Sequence, residues 1–168
     1  MKKLTLILIA IAVALMGCVN PFAPRLAENN PATALLGDQR TVEGLFRNFR
    51  YAYTFRDTLV YSQLLHPDFT FIYRDYERSV DVSWGRNDEM RATAGLFRNA
   101  QSLDLTWNEI VFSSGDSTRL DVTRSFNLII TFNPADIVQI DGRVNFRLIR
   151  SHPDSVWKIL RWRDESNF

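Results

Sequence analysis

Leu120-Asp121-Val122-Thr123-Arg124-Ser125-Phe126-Asn127-Leu128-Ile129-Ile130-Thr131-Phe132 places apolar side chains at every second position except Arg124, with mostly short polar ones between them. Successive strand residues point to opposite faces, so this pattern predicts a strand with one covered face and one wet face. After the turn Asn133-Pro134-Ala135-Asp136, a second run repeats it. Val138, Ile140, Val144, Phe146 and Leu148 alternate with Gln139, Asp141, Arg143, Asn145 and Arg147. Leu103 to Phe112 forms the strand before them and reaches them through Ser113-Ser114-Gly115-Asp116. Val156 to Asp164, after His152-Pro153-Asp154, forms the last. Antiparallel neighbours joined by such short turns make a meander.

Upstream the period changes. Val42, Leu45, Phe46, Phe49 and Tyr53 share one face of a helix, with Asp38 as its expected N-cap. A shorter helix is expected from about Asp57, carrying Val60, Leu64 and Leu65 until Pro67 stops it. Phe69 to Tyr73 reads as a strand, and the residues around Trp84 as a weaker one. A third helix begins at Asn87 with Asp88 and Glu89 in its first turn, where carboxylates complement the dipole; Met90, Ala94 and Phe97 mark its inner face. Helices that fill the apolar face of a curved antiparallel sheet define an α+β layer fold.

This element order, with the paired early helices, resembles the nuclear transport factor 2-like superfamily, the α+β cone of cystatin-like architecture. The segment Leu64-Leu65-His66-Pro67-Asp68-Phe69-Thr70-Phe71 and the closing strand Val156 to Asp164 carry the resemblance, which spans about residues 38 to 165. It implies a sheet wrapped around the N-terminal helices. It also implies that any chemistry sits inside the cone, where similar enzymes use aspartate, histidine or tyrosine for dehydration, isomerisation or cyclisation.

The N-terminus carries a second message. Lys2-Lys3 precede the apolar run Leu4 to Met16, which ends in Leu15-Met16-Gly17-Cys18. A basic segment, a short apolar segment and a small residue before the cut describe an export signal. Its end resembles the lipobox of bacterial lipoproteins, which implies cleavage before Cys18 and acylation of that residue. Residues 1–17 are therefore expected to be a signal peptide and 18–33 the lipidated cysteine and a tether; Pro21, Pro24 and Pro31 lie in that stretch without apolar periodicity. Residues 34–168 would form a single cone domain. The expected place is the bacterial cell envelope, with Asn20 favouring the outer membrane over the inner.

Composition narrows the function. Cys18 is the only cysteine, so the exported domain has no intramolecular disulfide and no thiol chemistry. Of the 20 Lys plus Arg, Lys2 and Lys3 leave with the signal, so 18 face 19 Asp plus Glu, a net charge of −1. That balance gives no basic footprint for nucleic acid. The two histidines each stand beside a proline in a separate His-Pro-Asp tripeptide, both read as turns, and offer no zinc-type ligand set. No glycine-rich phosphate loop appears, and no cofactor is expected.

Tyr53, His66, Asp68, Tyr73 and Trp84 are the candidate cavity residues, because the helices and early strands should form the cone mouth. No spacing among them names a catalytic dyad, and the same residues would also suit an aromatic core with a capped helix end. Arg124 falls in the apolar row between Val122 and Phe126. A guanidinium there needs an internal carboxylate or an anionic ligand, unless a bulge turns it to solvent. Trp157 and Trp162 have opposite parity, so a regular strand cannot bury both on one face. The expected function is a lipid-anchored envelope domain that binds a small ligand or a partner protein; the alternative is a lyase or isomerase using acid–base residues inside the cone. Expected partners are the membrane through the acyl anchor, a small ligand or envelope protein, and a second copy through the sheet.

Overall fold

The computed structural model describes residues 35–166; the signal segment, Cys18 and the tether lie outside the described residues. Helix α1 spans Val42–Phe55 and α2 Thr58–Leu64, followed by strands β1 (Leu65–Asp75) and β2 (Val80–Gly85). Helix α3 (Arg86–Asn99) then leads into β3 (Ser102–Gly115), β4 (Arg119–Asn133), β5 (Asp136–Ile149) and β6 (Lys158–Ser166). The result is a mixed α+β fold in which helices pack on a six-stranded, curved, unclosed sheet of order β2-β1-β6-β5-β4-β3. Among the described residues no helix is long and apolar enough to cross a membrane.

The meander β3-β4-β5-β6 is antiparallel throughout, with Leu105 opposite Leu128 and Val122 opposite Phe146. The sheet departs from a wholly antiparallel one at a single ladder: β1 runs parallel to β6. Almost the whole sheet separates the two in the chain, so no short hairpin dictates their direction.

Several local expectations shift. Thr41, not Asp38, caps α1: its Oγ1 accepts the Gly44 N–H at 3.0 Å, while Asp38 Oδ1 serves Arg40 N one turn earlier. A Cβ on Gly44 would stand 1.9 Å from the Asp38 carbonyl oxygen, so only glycine lets this capping loop close on the helix. Asp57 caps α2 through bonds to Leu59 N and Val60 N, but α2 ends at Leu64 and Leu65 already belongs to β1. The first His-Pro-Asp is therefore not a turn. It lies where β1 shifts register against β6 between Leu65 and Thr70, and proline suits such an irregularity because no ladder bond is asked of its nitrogen. Strand β3 runs on through Ser113 and Ser114, so the turn into β4 falls at Asp116–Thr118, with Asp116 Oδ1 accepting from Thr118 N and Arg119 N.

The core lies between α1 and the sheet. Phe46 and Phe146 stack at 5.5 Å, and Trp107 meets Phe46 edge-on at 4.8 Å while its Nε1 donates to the Phe46 carbonyl at 2.9 Å. Both Trp157 and Trp162 are buried, and the parity conflict resolves in two ways. Trp157 precedes β6, where it exchanges bonds with Gln39 and lies under the Arg150 guanidinium at 4.1 Å. Within β6 a bulge at Leu160 lets Ile159 and Trp162 both face inward.

Candidate functional site

The inner faces of α1, α3 and the sheet do not meet completely. They leave a cavity of about 250 Å³ walled by Phe49 and Tyr53 of α1, Phe71 of β1, Trp84 of β2 and Leu105, Trp107, Phe126, Leu128, Ile130, Val144 and Trp162 of the later strands. Ala92 and Leu96 of α3 and Ile140 of β5, all at least partly exposed, also line it. Space of this size and apolar lining is the ordinary shape of a small-molecule site, somewhat below the usual range of about 300–1,000 Å³.

Two carboxyl groups enter this apolar wall. Glu89 is 4 % exposed, and every side facing the protein is occupied. Its Oε1 accepts from the Tyr61 hydroxyl at 2.7 Å and the Thr93 hydroxyl at 2.9 Å, and its Oε2 from Trp84 Nε1 at 2.7 Å. Burial with three donors makes Glu89 a joint between α2, β2 and α3. Asp164 is different. It sits on β6 between Tyr73 of β1 and Val144 of β5, and is 8 % exposed. Its Oδ2 accepts from Ser166 Oγ at 2.6 Å, but its buried Oδ1 has no hydrogen-bond partner among the described residues. Burial pushes its pKa above the usual carboxylate value. Trp162, two positions earlier on the same face, buries an indole N–H that likewise has no partner among the described residues. Tyr53 and Tyr61 have pKa values raised far above that of free tyrosine, first by burial, then by neighbouring acids and, for Tyr61, by Tyr53 as well, so both are hydrogen-bonding phenols and not bases.

The structure brings together part of the set expected from sequence. Tyr53 and Trp84 line the cavity. Tyr73 packs beside it, its ring 5.7 Å from that of Trp84, and faces a smaller recess that it shares with Asp164. His66 and Asp68 do not line it: they alternate with the buried Leu65, Phe69 and Phe71 along β1, with Asp68 N donating to His66 Nδ1 at 3.1 Å and the Asp68 side chain 86 % exposed. Arg124 faces the helix side of the sheet but not this cavity. It makes bonds of 2.9 Å to both carboxylate oxygens of Glu43 on α1, donates from Nε to the Asn108 carbonyl at 2.8 Å, and rests 4.8 Å from the Phe46 ring centroid. Its position lines a separate polar groove with Asp38, Thr41 and Arg47. Glu89 and Asp164 carry the polar character of the cavity, and neither stood out in the sequence. Glu89 reads there as a dipole-complementing carboxylate; only the i, i+4, i+8 burial of Glu89, Thr93 and Phe97 shows that α3 is rotated to bring it inward. Among the described residues no group of three His, Cys, Asp or Glu could hold a metal ion.

Helices laid into a curved, open sheet around such a cavity define the α+β cone of the nuclear transport factor 2-like type. Solved structures with this fold are similar to the chain at low identity. They include a candidate scytalone dehydratase from Novosphingobium aromaticivorans (14 % identity, TM-score 0.65, covering 77 % of this chain and 83 % of that one). A candidate dehydratase of the nuclear transport factor 2-like family from Streptomyces avermitilis is also similar (18 %, TM-score 0.59, 74 % and 92 %), as is LinA (11 %, TM-score 0.61, 76 % and 84 %). No protein-family model matches the chain, and no curated protein sequence does.

Proposed function

We propose that this chain is an exported, lipid-anchored domain that binds a small, largely apolar molecule inside the cone. The observation that carries the binding role is the cavity itself: an apolar space of about 250 Å³ walled by aromatic and aliphatic side chains from both helices and sheet. Support for the anchor is the N-terminal segment from Lys2 to Cys18, and Cys18→Ser should abolish both processing and labelling by a palmitate analogue. Recovery of unlabelled wild-type protein from the soluble fraction would contradict the anchor without touching the cavity.

Acid–base catalysis needs a group free to exchange a proton with the substrate. Glu89 is committed to its three donors and Tyr53 is held as a phenol, which leaves Asp164 alone. Binding is therefore favoured over turnover. A lyase or isomerase with Asp164 as its base is the second reading. Its support is the raised pKa of that group and the dehydratase descriptions carried by two of the similar structures. Consumption of a bound compound by wild type and not by Asp164→Asn would favour it.

The test of binding is thermal. A ligand present at about 100 times its Kd stabilises the folded state by about 2.7 kcal/mol, a shift readily seen in a melting curve. Toluene and indole should raise the melting temperature of wild type. Leu128→Trp, which fills the cavity from the sheet side, should fold and lose the response. A wild type indifferent to such probes would overturn the reading.

A further inference from the structure

We infer that the free edge of β3 is an interface between two copies of this chain, which pair there as antiparallel strands of one continuous sheet. The interface does not depend on the cavity being occupied. β3 is a terminal strand of the sheet, and the strand at the other end, β2, has only six residues. From Ser102 to Trp107, β3 stays in unbroken register with β4, and its backbone makes no hydrogen bond outside that ladder among the described residues. This segment holds no proline and no lysine. Native edges are normally shortened, broken or covered, because their unpaired backbone groups template a further strand. Register shifts between Trp107 and Phe112 break the later half of β3 and leave this half regular.

A groove runs along it. Arg47, Arg50 and Tyr51 of α1 line one side, and Asp104, Leu105 and Thr106 the other. Consecutive strand residues point to opposite faces, so a groove that touches all three follows the edge and not one face. Charge selects the occupant. Arg47 and Arg50 are exposed, as are Asp104 and Glu109 of β3, and none of these four side chains has an ion pair or hydrogen bond among the described residues. An acidic strand would suit the arginines but meet Asp104 and Glu109 with like charge, and a basic strand would do the reverse. A second copy brings two charges of each sign. Antiparallel pairing also puts them in a matching order. Arg56, just past the end of α1, donates to the Ala100 carbonyl, while Glu43 in its first turn holds Arg124, which donates to the Asn108 carbonyl. α1 therefore follows β3 from its Asn108 end to its Ala100 end, and Arg50 stands nearer Ala100 than Arg47 does. A twofold axis near Thr106 reverses the second strand, which carries the partner's Glu109 toward Arg50 and the partner's Asp104 toward Arg47. Each contact then occurs twice, as an isologous interface requires.

Cysteine cross-linking of the full chain in intact expressing cells tests this. With a mild thiol oxidant, Thr106→Cys should form a disulfide-linked dimer of twice the chain mass. Wild type, whose only cysteine is Cys18, and Ser83→Cys, on the opposite edge strand, should not. Arg47→Glu with Arg50→Glu sets like charges across the interface and should lower the dimer yield of Thr106→Cys roughly tenfold. Adding Asp104→Arg and Glu109→Arg to that chain should restore it. All four sites are exposed, so circular dichroism should show every variant folded. No dimer of Thr106→Cys, or a yield no higher than that of Ser83→Cys, overturns the interface. So does a yield indifferent to the charge reversal, or one that the combined variant fails to restore. Linkage of Thr106→Cys to a different protein would place a foreign strand on the edge and overturn the second copy.

Discussion

Replacing Phe49 by alanine should destabilise the domain by about 3–5 kcal/mol, the usual cost of emptying a buried phenylalanine site. Phe49 is 1 % exposed and is the centre of the aromatic core. Its ring lies 4.9 Å from Tyr53, 5.4 Å from both Tyr61 and Trp107, 5.5 Å from Trp162 and 5.8 Å from Phe146. Those rings come from α1, α2, β3, β5 and β6, so no single side chain can relax into the space. Because Phe49 also walls the cavity, its loss enlarges an existing hollow, which makes collapse harder still. A loss of that size is a large share of a typical stability of about 5–15 kcal/mol. Urea denaturation of Phe49→Ala beside Leu59→Ala, a site 75 % exposed, measures it. The second variant should stay within about 0.5 kcal/mol of wild type. Similar midpoints for the two would mean that α1 does not bury this face.

The loss of Glu89 should cost nearly as much. Glu89→Ala removes the acceptor of the Tyr61 hydroxyl, the Thr93 hydroxyl and the Trp84 indole N–H, all bonded to it at 2.7–2.9 Å. At about 1–3 kcal/mol for each buried group left unpaired, and with the Tyr61 and Thr93 hydroxyls able to pair with one another, a total of about 2–3 kcal/mol is expected. Glu89→Gln should be milder, because the amide oxygen still accepts from Tyr61 and Thr93, while its nitrogen cannot accept from Trp84. The order wild type, Gln, Ala in denaturation midpoint is the expected result. Equal midpoints for Gln and Ala would show that the bonds to Oε1 contribute nothing.

The fold was legible because its signals are periodic. Alternation from Leu120 to Phe132 and from Val138 to Leu148 placed β4 and β5, and the helical spacing of Val42, Leu45, Phe46, Phe49 and Tyr53 placed α1 and its buried face. What the sequence concealed arises where periodicity breaks. The bulge at Leu160 aligns Ile159 with Trp162 and so directs Asp164 inward. A single inserted residue reverses every later side chain in a strand, and composition gives no sign of it. Arg124 was visible as a charge in an apolar row, but its partner Glu43 lies 81 positions away, a pairing that only the packed fold reveals.

The most direct measurement is a methyl nuclear magnetic resonance titration of the wild-type domain with toluene. Leu105, Leu128, Ile130, Ile140 and Val144 line the cavity, whereas Leu45, Leu64 and Leu148 are fully buried outside its lining. A small apolar molecule held in the cone should shift the methyl signals of the first group along one saturable isotherm and leave those of the second nearly still. Shifts confined to exposed methyls such as Leu59 and Val111, or no saturable shift at all, would contradict a ligand-binding cone.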